Sequence, residues 1–465
     1  MPLLGEMMRA GDPSRPVIVA PGEDAELSRG QLLALATRLR ELAQPGECVA
    51  LDLESRLGQA ALVVAGLLAG ILVCPLNPAS PAVAKSTVLG HAQPRTIIRD
   101  TALLADLHAG PAPVPSSKGG LLVYTSGSTG NPKGVHLDEA MIGANVAFAI
   151  RHFGHETGAV AGSILPLFHT FTLVSDVFPM LACGGQVVVT PGFAVAQLPA
   201  ASRALVDHRV HTYSGVPIVF DMMLAMRVPL PSSMRFAIAG AAALGERTRL
   251  RYAERHGHPI LPCYGLTETT CFATASAPGQ VRAGTVGRAA DIEVAILDEA
   301  GQPLPTGVDG EIAHRGASVI RGGYFRDGGQ HEAAFTADGW FLSGDMGRKD
   351  AEGFVTLTGR KKNMLVRGGE KVYLEDVDRV LLDDPAVQDA CCVRVDGPGP
   401  HEERAVAYVV ARDTPPDPLA LAHRVTAALG LIARIDDIAF LDEIPRTATG
   451  KPRRELLLAR YREGR

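Results

Sequence analysis

The sequence predicts an α/β protein with a large N-terminal domain of parallel α/β layers, a β-rich subdomain and a small C-terminal α+β domain. Three observations support this prediction. The chain has 465 residues, which is too many for one ordinary hydrophobic core. Short runs rich in β-branched residues alternate with helical patterns up to about residue 290, which is typical of parallel α/β layers. Beyond that point, short strands separated by Gly and Asp turns indicate a β-rich region.

The predicted strands of the first region are short, apolar and bounded by turn residues. They lie at residues 16–20, 48–53, 96–98, 120–124, 186–190 and 235–239. A helical pattern follows the first strand and extends to Ala43. Ser28 is predicted to cap this helix, because a serine oxygen accepts a backbone N–H of the first turn.

The most apolar stretch runs from residue 60 to residue 76 and is too short for a membrane helix. A span needs about 20 apolar residues, whereas Gly66 and Gly70 interrupt this stretch and Pro75 lies near its end. We predict a buried helix, a turn at Gly70 and a short strand over residues 71–74. The GxxxG spacing of the two glycines is interpreted as incidental.

Two further regions follow residue 290. The β-rich subdomain is predicted from strands at residues 292–297, 310–314 and 354–357. The final region is predicted to contain a strand at 364–366, a helix at 375–382, strands at 390–395 and 405–410, and a helix at 418–428. Cys391 and Cys392 are adjacent in one of these strands, so their side chains are predicted to point to opposite faces.

Composition and charge indicate a soluble globular protein. Apolar residues make up 46% of the chain and charged residues 20%. The net charge of −5 gives no indication that the protein binds nucleic acid or an anionic membrane. Seven cysteines without CxxC spacing indicate neither a disulfide framework nor a zinc site. Since the N-terminus lacks a signal-peptide pattern, the sequence predicts a cytoplasmic location with reduced thiols.

The strongest functional signal is a loop rich in glycine and hydroxyl groups, directly after the strand at 120–124. It reads Thr125-Ser126-Gly127-Ser128-Thr129-Gly130-Asn131-Pro132-Lys133-Gly134. Glycines let backbone N–H groups converge, hydroxyls add neutral donors and Lys133 adds a positive charge, which together suit a phosphate chain. The Walker A spacing is absent, so a P-loop NTPase is excluded. The preceding apolar strand disfavours a flexible linker.

This loop resembles the phosphate-binding signature of the adenylate-forming superfamily, which includes acyl-CoA synthetases, amino-acid-activating domains and beetle luciferases. Further signatures follow in that family's order from about residue 120 to the C-terminus. The resemblance implies that ATP binds here with a Mg²⁺ ion. The implied phosphate contacts are Thr125, Ser126, Gly127, Ser128, Thr129, Gly130 and Lys133, with Thr129 also near the metal.

A second signature resembles the family's adenine- and magnesium-binding segment. It reads Tyr264-Gly265-Leu266-Thr267-Glu268-Thr269. By resemblance, Tyr264 stacks on adenine, Thr267 contacts the α-phosphate and Glu268 holds the magnesium ion, and Gly265 also belongs to the ATP site. These roles are chemically reasonable, because an aromatic face suits a base and a hard cation prefers carboxylate oxygen.

Two more segments complete the nucleotide site that the resemblance implies. Asp345 resembles the aspartate that binds the ribose hydroxyls, and Arg360 resembles a second ribose or phosphate contact. An Asp after Gly is usually only a turn residue, so this assignment depends on the order of the signatures. Gly240, Ala241 and Ala242 occupy the position where the family lines adenine with small residues.

The C-terminal region resembles the family's mobile domain. Lys451, in the sequence PRTATGK, resembles the catalytic lysine of adenylation, which stabilises charge on the transferring oxygens. Lys362 resembles the hinge, and Gly368 and Gly369 resemble the segment lining the pantetheine tunnel. Without the resemblance, either lysine would be interpreted as a surface charge. The implied division is residues 1–359 for the ATP- and acid-binding domain, 360–362 for the hinge and 363–465 for the mobile domain.

A further group of residues is expected to line the acid pocket. By resemblance these are Phe168, His169, Ser214, Gly215 and Gly240. His169 lies in a sequence like that of acyl- and aryl-CoA ligases, whereas amino-acid-activating domains place an Asp nearby to bind the substrate ammonium. Asp176 is the nearby candidate here, but it does not stand at the sequence position of that Asp. An aryl or fatty acid without an α-amino group is therefore favoured. A purely structural role is the alternative for His169.

These implications combine into one predicted activity, an AMP-forming acid–thiol ligase. ATP and Mg²⁺ convert a small carboxylic acid to acyl-AMP, and the acyl group passes to CoA or to the phosphopantetheine of an acyl carrier protein. Only about 120 residues precede the phosphate loop, as in compact stand-alone ligases. A luciferase-like oxygenase is one alternative. A non-catalytic acyl-AMP-binding protein is another, and it predicts loss of Lys451, Glu268 or Asp345, all of which are present.

Overall fold

The computed structural model describes most of the chain. The described residues are 5, 11–110, 113–114, 116–126, 132–321, 323–326, 334–367, 370–397, 403–447 and 450–464, with the backbone alone at 126, 370 and 371. The chain divides into two compact units, Met1–Val294 with His314–Phe341, and Ala295–Ala313 with Leu342–Arg465. The hinge at residues 360–362 stays a prediction.

The first unit contains most of the predicted α/β layers. Its strands in chain order are β1 Pro16–Ala20, β2 Ala25–Ser28, β3 Cys48–Leu51, β4 Leu72–Pro75, β5 Thr96–Ile98, β6 Gly120–Ser126, β7 Pro132–Asp138, β8 Val160–Ser163, β9 Gln186–Val189, β10 Thr212–Gly215, β11 Phe236–Ala239, β12 Ile260–Tyr264, β13 Thr274–Ala275 and β14 Arg288–Ala289. Every strand predicted before residue 290 is therefore present, within two residues of its expected end.

Within the described residues, these strands form two sheets. The larger has the order β14-β13-β12-β11-β10-β8-β9-β1-β2, and its strands from β12 to β1 are parallel. The smaller has the order β5-β3-β4-β6-β7 and is parallel except for the antiparallel pair β6–β7. Because parallel strands end at one edge, the loops after β8, β11 and β12 emerge on the same side, where α/β sheets bind ligands.

Helices connect the parallel strands of this unit. They are α1 Arg29–Leu42, α2 Arg56–Ala69, α3 Ala82–Ala92, α4 Glu139–Phe153, α5 Phe178–Ala182, α6 Leu198–Asp207, α7 Pro217–Met226 and α8 Glu246–His256, with a π-helical segment, Leu173–Val177, directly before α5. The predicted cap of α1 is confirmed. The Gln31 N–H donates to Ser28 Oγ at 3.3 Å, and the Ser28 N–H donates to Gln31 Oε1 at 2.8 Å. Each side chain thus accepts a hydrogen bond from the backbone N–H of the other residue.

The apolar stretch over residues 60–76 folds as predicted, and each of its two glycines has its own structural role. Gly70 ends α2 with a left-handed φ of 70°. A β-carbon on Gly66 would lie 2.2 Å from Cγ2 of Val73, so glycine is what lets α2 pack closely on β4. Among the described residues, no helix has the length and apolarity needed to cross a membrane.

The second unit holds most of the β-rich strands and the C-terminal α+β region. The strands that follow β14 are β15 Glu293–Leu297, β16 Gly310–Arg315, β17 Phe341–Lys349, β18 Val355–Arg360, β19 Met364–Arg367, β20 Glu370–Tyr373, β21 Val387–Asp396, β22 Glu403–Ala411 and β23 Asp437–Phe440. The helices that follow are α9 Leu374–Leu382, α10 Pro418–Leu429 and α11 Arg454–Arg462. In the described part they form sheets β15-β16-β17-β18, β19-β20 and β21-β22-β23.

The two faces of strand β21 pack into different cores. Cys392 belongs to the cluster that includes Leu365 and Val377, whereas Cys391 belongs to the cluster that includes Leu457. The prediction that the two thiols point to opposite faces is confirmed. With parallel layers, a β-rich region and a small α+β region all present, the predicted fold class is confirmed as well.

Candidate active site

The predicted phosphate loop joins two paired strands. In the antiparallel register of β6 and β7, Thr125 lies opposite Lys133, and Ser126 lies opposite Pro132. The strand expected before the loop is therefore confirmed, and the chain returns beside it as a hairpin. Four predicted phosphate contacts lie outside the described residues: Gly127, Ser128, Thr129 and Gly130. The side chain of Ser126 is also outside the description.

Tyr264 and Gly265 lie at the carboxyl end of a parallel strand. Tyr264 is the last residue of β12, and its hydroxyl is 3.4 Å from Nε2 of His314. Burial lowers the pKa of His314 to about 3, so this imidazole is neutral at pH 7. A β-carbon on Gly265 would lie 1.6 Å from the carbonyl oxygen of Cys271, so only glycine fits there.

Glu268 lies in a 3₁₀ turn that begins at Thr267, directly after that strand. The Ile320 N–H donates to the Glu268 carbonyl oxygen at 2.9 Å. Glu268 is 8% exposed, and its Oε1 accepts a hydrogen bond from the Tyr324 hydroxyl at 2.9 Å. The backbone of Glu268 is thus held by Ile320, and its carboxylate by Tyr324.

The donors around Glu268 fit a nucleotide-bound magnesium ion. Among the described residues, no group of three or more His, Cys, Asp or Glu side chains is placed to hold a metal ion. Mg²⁺ in nucleotide sites is typically bound through one or two carboxylates, with substrate phosphates and water as the other ligands. A single buried carboxylate close to the predicted phosphate-binding hairpin suits that arrangement. The magnesium role of Glu268 nevertheless stays a prediction.

The segment predicted to line adenine follows strand β11. A β-carbon on Gly240 would lie 2.8 Å from Cζ of Phe171 and 2.9 Å from Sγ of Cys263, so the glycine lets both side chains cover the strand end. Ala241 has a positive φ of 67°, and Ala242 is exposed. A left-handed alanine is strained, and such strain is concentrated at binding sites. The adenine role of these three small residues stays a prediction.

Phe168 and His169 end the loop that follows β8. Their ring centroids are 4.7 Å apart. The start of this loop is held by Arg56, whose guanidinium donates to the carbonyl oxygens of Ser163 at 3.0 Å and Leu165 at 2.9 Å. Arg56 is absent from the residues predicted for the site, because a guanidinium whose described hydrogen bonds go to backbone carbonyls has no sequence motif.

The two pocket candidates on strand β10 are fully buried. The Ser214 hydroxyl donates to Asp176 Oδ1 at 2.6 Å and lies 2.7 Å from Ser175 Oγ. A β-carbon on Gly215 would lie 2.7 Å from the ring of Phe220. Ser214 therefore forms a buried polar cluster with Ser175 and Asp176 of the π-helical segment. Contact between the acid and either pocket candidate stays a prediction.

Replacing Asp176 by asparagine is expected to remove a pH dependence of stability. Burial raises the pKa of Asp176 to about 8 from its ordinary 3.8, so the folded state binds more protons than the unfolded state between these values. The contribution of Asp176 to stability is therefore fully present below about pH 4 and is lost as the pH rises towards 8. Urea unfolding measured from pH 5 to 8 should show the free energy of unfolding of Asp176→Asn rising relative to that of the wild type, by up to about 1.4 kcal/mol per pH unit. A pH-independent difference would contradict the raised pKa.

In the second unit, the two predicted ribose contacts form an ion pair. Asp345 lies directly opposite Arg360 in the β17–β18 register, and Arg360 Nε is 2.8 Å from Asp345 Oδ1. Next to them, Glu311 accepts from the Gly344 N–H at 3.0 Å and from Lys361 Nζ at 2.8 Å. The structure thus brings Asp345 and Arg360 together, whereas their contact with ribose stays a prediction.

Lys362, the predicted hinge, lies in a 3₁₀ turn between β18 and β19. Asn363 Nδ2 donates to Glu375 Oε1 at 2.6 Å, and Arg454 Nη1 lies 3.1 Å from the same oxygen. Glu375 therefore links this turn to the first residue of helix α11. Desolvation lowers the pKa of Lys362. The two predicted thiol-tunnel residues lie outside the described residues: Gly368 and Gly369.

Lys451 lies three residues before helix α11, and described hydrogen bonds link it and Gly450 to Thr447. The Gly450 N–H donates to the Thr447 carbonyl at 2.8 Å, and the Thr447 N–H donates to the Lys451 carbonyl at 2.8 Å. Arg446, next to Thr447, forms an ion pair with Asp389, in which Nη2 lies 2.6 Å from Oδ1. Lys451 itself is exposed. Its catalytic role stays a prediction.

Tyr324 contacts two predicted site residues, although the sequence does not single it out. Its hydroxyl bonds to Glu268, and Lys133 Nζ lies over its ring, 4.6 Å from the centroid. The one signal in the sequence is an aromatic residue after Gly322 and Gly323, which is too common a pattern to indicate a site.

Comparisons with known proteins bear on this arrangement. The AMP-binding enzyme family matches residues 108–325, and the AMP-binding enzyme C-terminal domain matches residues 376–451. The chain is 30% identical to a sulfoacetate–CoA ligase of Cupriavidus necator, over 96% of this chain and 95% of that one. It is 35% identical to an indoleacetate–CoA ligase of Aromatoleum aromaticum, over 72% of this chain and 66% of that one.

Solved structures show the same fold. ATP-bound MatB from Rhodopseudomonas palustris matches with a TM-score of 0.89 and 23% identity, over 99% of both chains. The o-succinylbenzoate CoA synthetase MenE from Bacillus subtilis, in complex with its acyl-adenylate intermediate, matches with a TM-score of 0.85 and 24% identity, over 98% of both chains. Family match, full-length relative and shared fold agree, and the chain belongs to the AMP-binding enzymes of the adenylate-forming superfamily, among the relatives of acid–CoA ligases.

Proposed function

We propose that this chain is an AMP-forming acid–thiol ligase that acts in two half-reactions. In the first, a carboxylate oxygen of the acid attacks the α-phosphorus of ATP, which forms acyl-AMP and releases pyrophosphate. In the second, a thiol attacks the acyl carbon, which forms a thioester and releases AMP. One oxygen atom of the acid leaves with that AMP.

One structural observation supports this proposal most directly. Lys133 of the phosphate hairpin and Glu268 of the second signature are far apart in the sequence, yet both contact Tyr324. A cation and a metal-binding carboxylate at one place are what a phosphate chain and its counter-ion require. Two motifs identified separately in the sequence therefore converge on one side chain.

Each residue has a distinct task in the proposed adenylation. Lys133 and the hairpin bind the terminal phosphates, and Glu268 holds the metal. Magnesium, when bound, supplies charge neutralisation for the pyrophosphate leaving group. Lys451 stabilises the charge that develops on the transferring oxygens. Rotation about Lys362 then withdraws Lys451, so that the thiol can reach the acyl carbon.

The acid is proposed to be an aryl or fatty acid without an α-amino group. Asp176 is engaged by Ser214 inside the protein, and its raised pKa keeps it largely protonated at pH 7, so it is unsuited to bind a substrate ammonium. Sulfoacetate and indoleacetate, the acids in the names of two relatives, also lack an α-amino group. Those names support CoA as the acceptor, although carrier-bound phosphopantetheine offers the same thiol.

The proposal is tested by ATP–pyrophosphate exchange with the purified protein and magnesium. The acids are benzoates, cinnamates, fatty acids of graded length, sulfoacetate and amino acids, and active acids are then assayed with CoA and with a phosphopantetheinylated carrier protein. We expect exchange with one class of non-amino acid and thioester formation with a thiol. Exchange with amino acids alone, or binding of acyl-AMP without any exchange, would contradict it. Oxygen uptake with the acid and ATP would instead indicate the oxygenase alternative.

A further inference from the structure

The side chain of Tyr324 lies between two groups that the proposed function assigns to ATP binding. Its hydroxyl donates to Glu268 Oε1 at 2.9 Å, and Lys133 Nζ lies 4.6 Å from its ring centroid. One end of the phenol therefore engages the carboxylate while its face engages the ammonium. All three residues belong to the first unit.

The backbone on both sides of Tyr324 is tied to the elements that carry these two groups. The Phe325 N–H donates to the carbonyl oxygen of Gly134 at 2.7 Å, which fixes the segment to strand β7, next to Lys133. The Ile320 N–H donates to the carbonyl oxygen of Glu268 at 2.9 Å. The described segment, Ile320 with residues 323–325, therefore joins the hairpin to the turn after β12.

The neighbours of Tyr324 hold this segment in place. The ring of Phe325 packs edge-on against His91 at 5.9 Å and His136 at 6.4 Å between centroids. Arg326 donates to Gln93 Oε1 at 2.6 Å. Because these anchors do not involve the phenol of Tyr324, removing its hydroxyl should leave the segment folded.

The chemistry of the phenol suits a positioning role. A hydroxyl that donates to a carboxylate makes a charge-assisted hydrogen bond and restricts the rotamer of the acid. Only Oε1 of Glu268 is engaged by this bond, so a metal ion can approach the carboxylate through Oε2. The aromatic face attracts a lysine ammonium without neutralising it, so Lys133 keeps its charge for phosphate.

We propose that Tyr324 is a positioning residue that sets Glu268 and Lys133 relative to each other for binding of the magnesium–ATP complex. This inference rests on the proposed function of the site. The hydroxyl acts through Glu268, so it governs the part of ATP affinity that depends on magnesium. The ring acts through Lys133, so it governs the part that does not.

Two substitutions separate the hydroxyl from the ring. Tyr324→Phe keeps the ring and removes the hydroxyl, whereas Tyr324→Leu removes both. Tyr461→Phe, in helix α11 of the second unit, is the control for loss of a tyrosine hydroxyl elsewhere. Calorimetric titration with ATP is carried out with excess magnesium and again with EDTA, and thermal unfolding of each variant without nucleotide reports its stability.

We expect Tyr324→Phe to weaken ATP binding roughly tenfold with magnesium, as for loss of one charge-assisted hydrogen bond, and less than twofold with EDTA. Tyr324→Leu should weaken binding under both conditions, by about threefold or more with EDTA. Tyr461→Phe should bind like the wild type. If Tyr324 only stabilised the fold, its substitution would lower the unfolding temperature and would weaken ATP binding equally with magnesium and with EDTA.

The possible failures point to different conclusions. If the wild type binds magnesium–ATP and Tyr324→Phe binds it equally well, or is weakened equally with and without magnesium, the positioning role is overturned while the proposed function stands. If the wild type binds no ATP under either condition, the proposed function is overturned and the inference with it. Competition between Mg²⁺ and Mn²⁺, followed by the electron paramagnetic resonance of Mn²⁺, should show the same weakening of the metal in Tyr324→Phe.

Discussion

Replacing Lys451 by alanine is expected to slow acyl-AMP formation roughly 10²–10³-fold, the usual cost of removing one preorganised electrostatic stabiliser. As a carboxylate attacks the α-phosphate, two anionic groups approach and charge builds on the transferring oxygens. A lysine there stabilises the transition state more than the ground state, so the loss should fall on kcat more than on KM for ATP. Single-turnover formation of acyl-AMP measures this step directly.

The second half-reaction supplies the internal comparison for Lys451→Ala. Transfer from added acyl-AMP to the thiol should stay within a few-fold of the wild type, because the proposed lysine is withdrawn during that step. The matched control is Arg453→Ala, which removes another exposed cation two residues away, paired with Glu455 at 2.9 Å. Equal loss of both half-reactions in Lys451→Ala, or equal loss of adenylation in Arg453→Ala, would contradict the assignment of Lys451.

Replacing Glu268 by glutamine is expected to lower ATP–pyrophosphate exchange by roughly 10²-fold and to raise the magnesium concentration needed for half-maximal exchange. Glutamine has nearly the same shape and keeps an oxygen that can accept from Tyr324, so the turn should remain folded. What it loses is the negative charge that a hard divalent cation requires. A magnesium titration at saturating ATP separates weaker metal binding from a slower chemical step.

Glu293→Gln is the matched control for this variant. Glu293 is an exposed carboxylate of the same unit, paired on the surface with Arg315 at 2.7 Å, and a surface pair of this kind contributes little to stability. Its magnesium dependence should equal that of the wild type. If Glu268→Gln also kept the wild-type magnesium dependence, the metal would have to be held elsewhere.

Local sequence rules predicted much of the fold because they act over a few residues. The reciprocal Ser28–Gln31 cap follows from side chains three positions apart, and the end of α2 follows from the left-handed conformation that Gly70 adopts easily. The close approach of Gly66 to Val73 was missed, because it depends on how a helix packs on the strand that follows it. Packing of that kind depends on tertiary structure and cannot be inferred from the hydrophobic periodicity of the sequence.

The residues of the candidate site likewise fall into those that the sequence could identify and those that it could not. Tyr264, Glu268 and Lys133 belong to motifs with recognisable spacing, so the sequence could identify them. Tyr324 and Arg56 could not be identified, because each acts through contacts with residues distant in the sequence, one with a carboxylate and an ammonium, the other with backbone carbonyls. A side chain that only positions other groups belongs to no motif with a recognisable spacing in the sequence.

Adenylation of the acid is the central claim, and the fate of its carboxylate oxygens tests it most directly. The protein is incubated with ATP, magnesium, a thiol and an active acid labelled with ¹⁸O in both carboxylate positions, and the products are analysed by mass spectrometry. Attack of the acid on the α-phosphorus predicts one ¹⁸O atom in AMP and none in pyrophosphate. Unlabelled AMP, or label in inorganic phosphate formed together with ADP, would contradict the account.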